Sequence, residues 1–370
     1  MNSLEEDIHR ALAEVEVDDD RIGALVRAAD PLRSAADVAA SVAAVRAHLD
    51  GLGPLEPLLR QPGVTDVLVN GPGPVWIERD GQLQQTAVVL TRMQIDLLVE
   101  RIVAPLGRRA DPVHALVDGR LADGSRVHIV VPPLAVDGPC ITIRRFAVTP
   151  ISLDRIAGPE VACLLRWAVA ARCNIVVSGA TGSGKTTLLN ALAAEVPATE
   201  RIITVEDAAE LRLGAPHVVR LESRTGSPDG VPPVDIRELV RNALRMRPDR
   251  LVVGEVRGSE AFDLLAAMST GHDGSLSTIH ANSAIDALRR LQTLVLMAGV
   301  GMPAAAVREQ IASAVDLIVH VERSASGRRQ VVEVAEVVTD PSDPLRLVRP
   351  LADRSGVVAQ SVRAGRRAVA

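Results

Sequence analysis

The chain has 370 residues, 47% of them hydrophobic, with a formal net charge of -5. That excludes a disordered chain and leaves room for two domains, each with its own core. The acidic balance gives no global basic footprint for nucleic acid, and two Trp, two Phe and no Tyr leave few aromatic platforms for stacking bases.

Cys140, Cys163 and Cys173 are odd in number and too far apart for a metal-binding CxxC pair. They read as reduced core residues of a cytosolic protein. The opening MNSLEEDIHR is acidic and polar, unlike a signal peptide. The most apolar window, Val161 to Val177, is interrupted by Arg166 and Arg172 and is too short to span a bilayer.

Over residues 1–50, apolar residues recur at helical spacing: Leu4, Ile8, Leu12, then Ile22, Leu25, Val26, then Val38, Val42, Val45, Leu49. They predict two or three amphipathic helices broken near Asp18 and Pro31, an N-terminal helical extension packed on the next domain. Residues 51–146 alternate instead. Strands are expected over Val64–Val69, Val75–Glu78 and through Val88-Val89-Leu90, with a turn at Asp80-Gly81. A helix follows from Thr91, with Ile95, Leu98, Val99 and Ile102 on one face. Two short strands then flank the Asp123-Gly124 turn, with Arg120 and Arg126 near its ends, and CITIRRF to Phe146 makes another strand. This is a small α+β domain with a mainly antiparallel sheet.

Residues 147–158 carry Pro150 and Gly158 and read as a linker. Residues 159–338 alternate strand and helix, which predicts an α/β domain with a largely parallel sheet covered on both faces. Residues 339–370 read as a C-terminal tail, with Arg363, Arg366 and Arg367 solvated.

One stretch organises the α/β part: NIVVSGATGSGKTTLLN, Asn174 to Asn190. An apolar strand enters the turn Gly179-Ala180-Thr181-Gly182-Ser183-Gly184, and Lys185, Thr186 and Thr187 open a helix. This is G-x-x-x-x-G-K-[ST] in its strand–loop–helix setting. Backbone N–H groups of such a loop cradle phosphates, the lysine reaches the β/γ-phosphates, and the Thr186 hydroxyl can sit on Mg²⁺. Lys185 is the chain's single lysine among many arginines, which points to a role specific to the ammonium group.

Hydrolysis of ATP needs, besides the cradle, a carboxylate to position water and positive charge on the transition state. Glu206, followed by Asp207, and Glu255 each stand after an apolar strand and compete for the first task. Gly254 occupies the place where many P-loop enzymes carry a Mg²⁺-binding Asp. The metal is therefore expected on Thr186, reached by Glu206 or Glu255 through water. His280 closes a Gly/Ser/Thr-rich stretch and is a candidate γ-phosphate sensor. Arg120, Arg126, Arg144 and Arg145 lie outside the P-loop domain, so they would reach nucleotide only across a domain or subunit cleft, as arginine fingers do.

These motifs together resemble the traffic ATPases of type II and type IV secretion and type IV pili, with most similarity to the CpaF-like ATPases of Flp/tight-adherence pili. The matching stretches are VTDVLVNGPGPVWIERDG, DGRLADGSRV, ITIRRF, SGATGSGKTTLLNAL, ERIITVEDAAELRL, LVRNALRMRPDRLVVGEVRG and TGHDGSLSTIHANS. The last four are similar to that family's Walker A, Asp box, Walker B and His box, in order. The resemblance implies a RecA-like P-loop NTPase core behind a small α+β domain, and a cytoplasmic homo-hexamer. It implies that ATP and Mg²⁺ drive domain motion on inner-membrane platform proteins, while the acidic charge and scarce aromatics, not the resemblance, argue for no direct nucleic acid partner. Lys185 and Thr186 would serve phosphate and Mg²⁺, Glu206 the Asp box, Glu255 Walker B, His280 the His box, and the four arginines the cleft. Gly119 departs from the Ala usual there, Asp111 to Leu116 is looser than the family's stretch, and the zinc-binding Cys module of some type II members is absent. Two other readings stay open: a conjugation-type DNA-transfer motor, and a nucleotide-gated assembly component that does not hydrolyse.

Overall fold

Asp18 accepts the Arg21 N–H and caps helix α1, Asp19–Ala29. The acid run that reads as a break is therefore a helix start, and α1 ends before Pro31. Helix α2, Ala35–Leu49, packs on α1 through Ile22, Val26, Val38 and Val45. The computed structural model describes residues 18–49, 51–79, 81–145, 151–224, 226, 232–324, 327–338 and 348–361. The expected helix over Leu4, Ile8 and Leu12 lies outside these residues, as do Asp80, Phe146, linker residues 147–150, and Arg363, Arg366 and Arg367. The chain divides into two compact units, Met1–Ala147 and Val148–Ala370.

In the first unit a short helix, α3 (Glu56–Leu59), leads into six strands: β1 Val64–Asn70, β2 Gly73–Arg79, β3 Gln82–Leu90, β4 Leu116–Arg120, β5 Arg126–Val130 and β6 Cys140–Arg144. They are ordered β3-β2-β1-β6-β5-β4, antiparallel at every pairing. Helix α4, Arg92–Val103, starts in a capping box of Thr91 with Gln94 and joins Ile95, Leu98, Val99 and Ile102 to Val67, Ile129, Ile141 and Ile143 in one core. Gly119 has a packing reason: a Cβ there would collide with the Leu106 side chain.

The second unit holds a nine-stranded sheet. Its strands are β7 Ile175–Gly179, β8 Ile202–Glu206, β9 Val218–Glu222, β10 Arg250–Val256, β11 Leu276–His280, β12 Leu317–Arg323, β13 Arg329–Val337, β14 Val348–Asp353 and β15 Gly356–Val357. The order is β15-β14-β13-β12-β7-β11-β10-β8-β9, parallel from β12 to β9 and antiparallel from β12 outward to β15. Helices α5 (Leu153–Ala157), α6 (Pro159–Ala170) and α7 (Lys185–Ala194) build one core on this sheet. Helices α8 (Ile236–Ala243), α9 (Glu260–Ser269), α10 (Ala284–Met297) and α11 (Ala304–Ala314) build the other. Both faces are covered, which is why the inner strands read as unbroken apolar runs.

Three expectations change. The second half of the supposed linker is helix α5, whose Leu153 and Ile156 are buried with Leu165 and Leu188. Arg166 ties it down by donating to Asp154 Oδ1 at 3.1 Å and Glu195 Oε1 at 3.1 Å. The tail is not a mere extension either. It supplies β14 and β15, and the fully buried Glu336 carboxylate holds Arg349 at 2.7 Å and Ser361. Cys163 is exposed rather than in the core, because α6 buries Val161, Ala162, Leu165, Ala168 and Val169 instead.

Asn174 locks the strand starts together. Its Nδ2 donates to Met268 O (3.2 Å) and Ala314 O (2.7 Å), and its Oδ1 accepts Gly274 N (2.9 Å) and Ser275 N (3.0 Å). Its own N–H donates to Asp316 Oδ2 at 2.8 Å, and the residue is fully buried. Asn174→Ala takes a side-chain partner from two carbonyls and two N–H groups in the core. We expect a stability loss of about 3 kcal/mol or more, measured by urea unfolding of the full chain.

Candidate active site

The phosphate-loop strand β7 is buried along its whole length, and its last residue meets a tight neighbour. A Cβ on Gly179 would lie 2.5 Å from Val321 O, so no larger residue fits. Gly182 and Gly184 take φ of 71° and 105°, conformations that disfavour side chains. Helix α7 has no side-chain cap at its N-terminus, so its first N–H groups face the loop unclaimed by a side chain.

Lys185 is 8% exposed. Its ammonium donates to Gly179 O (3.0 Å), Ala180 O (2.9 Å) and His280 Nε2 (3.2 Å). Burial lowers its pKa, the Glu255 charge raises it and the Arg257 charge lowers it. His280 Nε2 also meets Thr181 Oγ1 at 2.9 Å, while its Nδ1 donates to Glu255 Oε1. The ring therefore links the Glu255 carboxylate to the lysine. Thr186 and Thr187 stand half-buried in the first turn of α7.

Glu255 is inside β10 rather than beyond it, and its aim comes from a bulge. The pairing of β10 with β11 runs Val253 opposite Ser277, then Val256 opposite Ile279, so Gly254-Glu255 holds one residue too many. Gly254 is required for a second reason: a Cβ there would lie 2.8 Å from Glu206 Cγ. The Glu206 side chain fills the space an Asp at 254 would need.

Glu206 ends β8 and is 3% exposed. Its Oε1 accepts the N–H groups of Glu210 (2.9 Å) and Leu211 (3.0 Å). Burial pushes its pKa up to about 7 against the opposing pull of those two N–H groups and Arg220. Two buried oxygens, Glu206 Oε2 and Ser183 Oγ, have no hydrogen-bond partner among the described residues. With the uncapped helix and the glycine loop, they fit a phosphate chain and its hydrated cation.

The structure thus brings Thr181, Lys185, Glu255 and His280 into direct contact and sets Glu206 against Gly254. The four arginines lie in the first unit. Arg120 stands opposite Arg126, Arg126 opposite Arg144, and Arg144 opposite Asp66, one row across four strands. Like charges directly opposite each other work against strand pairing. Arg145 is employed differently: it donates to Gln61 O (3.1 Å) and Val64 O (3.3 Å) within its own domain.

Two residues at the loop were not singled out from sequence. Arg257 donates through Nε to Glu255 Oε2 at 2.6 Å and through NH1 to Asp207 Oδ2 at 3.3 Å. Its closeness to Glu255 along the chain was the available signal. Arg329 lays its Cδ 2.6 Å from where a Cβ on Gly184 would be, and only the topology that brings β13 to the loop reveals it.

Residues 48–370 match the family described as "Type II/IV secretion system protein". The chain belongs to that family. A Mycobacterium tuberculosis protein named for conjugal transfer is 41% identical over 311 residues, 81% of this chain and 88% of its own. The type IV secretion system protein PtlH of Bordetella pertussis is 38% identical over 325 residues, 79% of this chain and 95% of its own. Among solved structures, the pilus retraction motor PilT with bound ADP is similar with a TM-score of 0.56 at 20% identity, over 77% of this chain and 83% of that one. The Legionella pneumophila ATPase DotB gives 0.55 at 22%, over 76% and 81%. These likenesses show the fold of the family here: a RecA-like P-loop core with a preceding N-terminal domain.

Glu206 supplies a pH test. Its folded pKa lies above its ordinary 4.5, so the stability tied to its protonated form is present below 4.5 and lost as pH rises through about 7. Glu206→Gln removes that loss. Its stability advantage over wild type should grow between about pH 5 and about pH 8, approaching about 3 kcal/mol, read from unfolding midpoints across that range.

Proposed function

We propose that the chain hydrolyses ATP as a homo-hexameric motor that drives pilus assembly or protein secretion through inner-membrane platform proteins. It works at the cytoplasmic face of the membrane. The observation that carries the ATPase reading is the chain of contacts from Glu255 through His280 to Lys185 at the mouth of the glycine loop. Among the described residues, no helix is long and apolar enough to cross a membrane, so attachment through a partner is the form proposed.

In this reading the triphosphate takes Lys185 from the Gly179 and Ala180 carbonyls, and the loop N–H groups bind the β-phosphate. Mg²⁺, held by Thr186 and reached by Glu206 or Glu255 through water, would neutralise charge on the β- and γ-phosphates. Glu255 is favoured as the base that orients the attacking water and takes its proton, since one imidazole separates it from the lysine. Glu206, bound to backbone on one oxygen, is favoured as the carboxylate beside the hydrated metal. His280 loses its lysine partner when phosphate arrives and so senses the γ-position. Arg120, Arg126 and Arg144 are proposed to complete the charge on the transition state from outside the P-loop core, with Arg145 bracing that strand.

Relatives named for conjugal transfer favour a second reading, a DNA-transfer motor. Turnover stimulated by DNA would establish it. A chain that never turns over Mg²⁺-ATP, even with its membrane partner, would instead be a nucleotide-gated assembly component. Lys185→Ala should abolish ATP binding and turnover. Glu255→Gln should keep ATP affinity within about threefold and lower kcat by 100-fold or more, on the order of one positioned base. Wild-type turnover in that variant removes Glu255 from the chemistry. Arg144→Ala should lower kcat by about tenfold or more with the domain still folded, and an unchanged rate would take the arginine row out of the reaction.

A further inference from the structure

Glu255 is gripped from two sides. His280 Nδ1 takes Oε1, and the Arg257 guanidinium takes Oε2 through Nε at 2.6 Å and a second contact from NH2. The same guanidinium reaches Asp207 Oδ2 at 3.3 Å, so it bridges the residue following β8 to the end of β10.

The stem that carries it is anchored. Glu260, only 7% exposed, accepts the Arg257 N–H at 2.6 Å and the Gly258 N–H at 2.7 Å through one oxygen. A turn fixed by a buried carboxylate holds the arginine root while the head lies open to solvent. The Arg257 side chain is 60% exposed, and that of Glu255 is 15% exposed. An ion pair so open adds little to stability, so its geometry is the feature to explain. A forked guanidinium holds two carboxylates in one fixed geometry, whereas a lysine ammonium is a rotatable point charge that gives no such fork.

We infer that Arg257 is a positioning residue, which orients the Glu255 carboxylate and acts on ATP only through it. The inference rests on the ATPase reading above. Charge decides against direct phosphate binding. Glu255 and Asp207 carry two negative charges against the single positive charge of Arg257. Moving the guanidinium onto a phosphate would take its positive charge from both carboxylates beside an incoming polyanion, and the repulsion would oppose the binding it served. Kept in place, Arg257 shields that negative pair and holds Oε2, so that the carboxylate keeps its aim when His280 loses its lysine partner to phosphate.

The test is a cycle of Arg257→Ala with Glu255→Gln, with ATP affinity measured by equilibrium binding of a fluorescent ATP analogue and rates by phosphate release. Arg257→Ala is expected to lower kcat by about tenfold or more with KM within about threefold. In the Glu255→Gln background it should cost neither rate nor affinity further. Arg257→Lys should show the same pattern in milder form and serves if the Ala variant fails to fold. Asp207→Asn should share part of the loss. An unchanged kcat overturns the inference, and so does a tenfold loss of analogue affinity when Arg257→Ala is added to Glu255→Gln, which would make Arg257 a phosphate ligand. Wild-type protein that binds the analogue without turnover overturns the ATPase reading and this assignment together. Normal wild-type turnover with an unaffected variant overturns the assignment alone.

Discussion

The register between β7 and its two neighbours is the constraint on which the site depends. Asn174 pins the starts of these strands, so that Ile175 pairs with Leu276 on one side and Leu317 on the other. Three and four residues on, the same register sets Ser178 beside His320 and Gly179 beside His280. A slip of one residue would turn His280 to the opposite face of the sheet and separate it from Lys185 and Glu255. Hydrogen bonds at one end of the sheet thus decide which side chains meet at the other. Ser178 and His320 reinforce the arrangement with a buried contact of 2.9 Å.

Around that frame the site is assembled from opposed demands on space. Gly254 vacates volume that Glu206 occupies, and Gly184 vacates volume for the Arg329 stem. Each substitution that looks conservative at a glycine would therefore displace a charged side chain. The bulge at Gly254-Glu255 serves the same end, since strict alternation along β10 would aim Glu255 elsewhere. Burial then divides the two carboxylates chemically. Glu206 is buried, which pushes its pKa up to about 7, while Glu255 is gripped by His280 and Arg257 near solvent.

Much of this was legible in the residues themselves. The loop from Gly179 to Thr187, the strand ends at Glu206 and His280, and the change from an antiparallel to a parallel sheet all follow from local pattern and turn chemistry. What escaped notice depends on distant partners. Helix α5 reads as linker because Pro150 and Gly158 dominate its surroundings, and only the core beneath Leu153 and Ile156 makes it part of the second unit. Strands β14 and β15 were hidden because a polar tail gives no periodic signal, while Glu336 and Arg349 join it to the sheet through one buried ion pair. The cross-strand row of Arg120, Arg126 and Arg144 needed the pairing of three strands, and the contrast with Arg145 needed the backbone carbonyls it serves.

The enclosure of Lys185 has a consequence for covalent chemistry. Every other side-chain cation in the sequence is an arginine or a histidine, so acetyl, succinyl and ubiquityl groups directed at lysine have a single side-chain address. That address is nearly sealed by two loop carbonyls and an imidazole. Acylation there would erase the ammonium charge at the phosphate cradle. The arginine-for-lysine composition therefore leaves the surface inert to such modification and concentrates the whole of its sensitivity at one nitrogen.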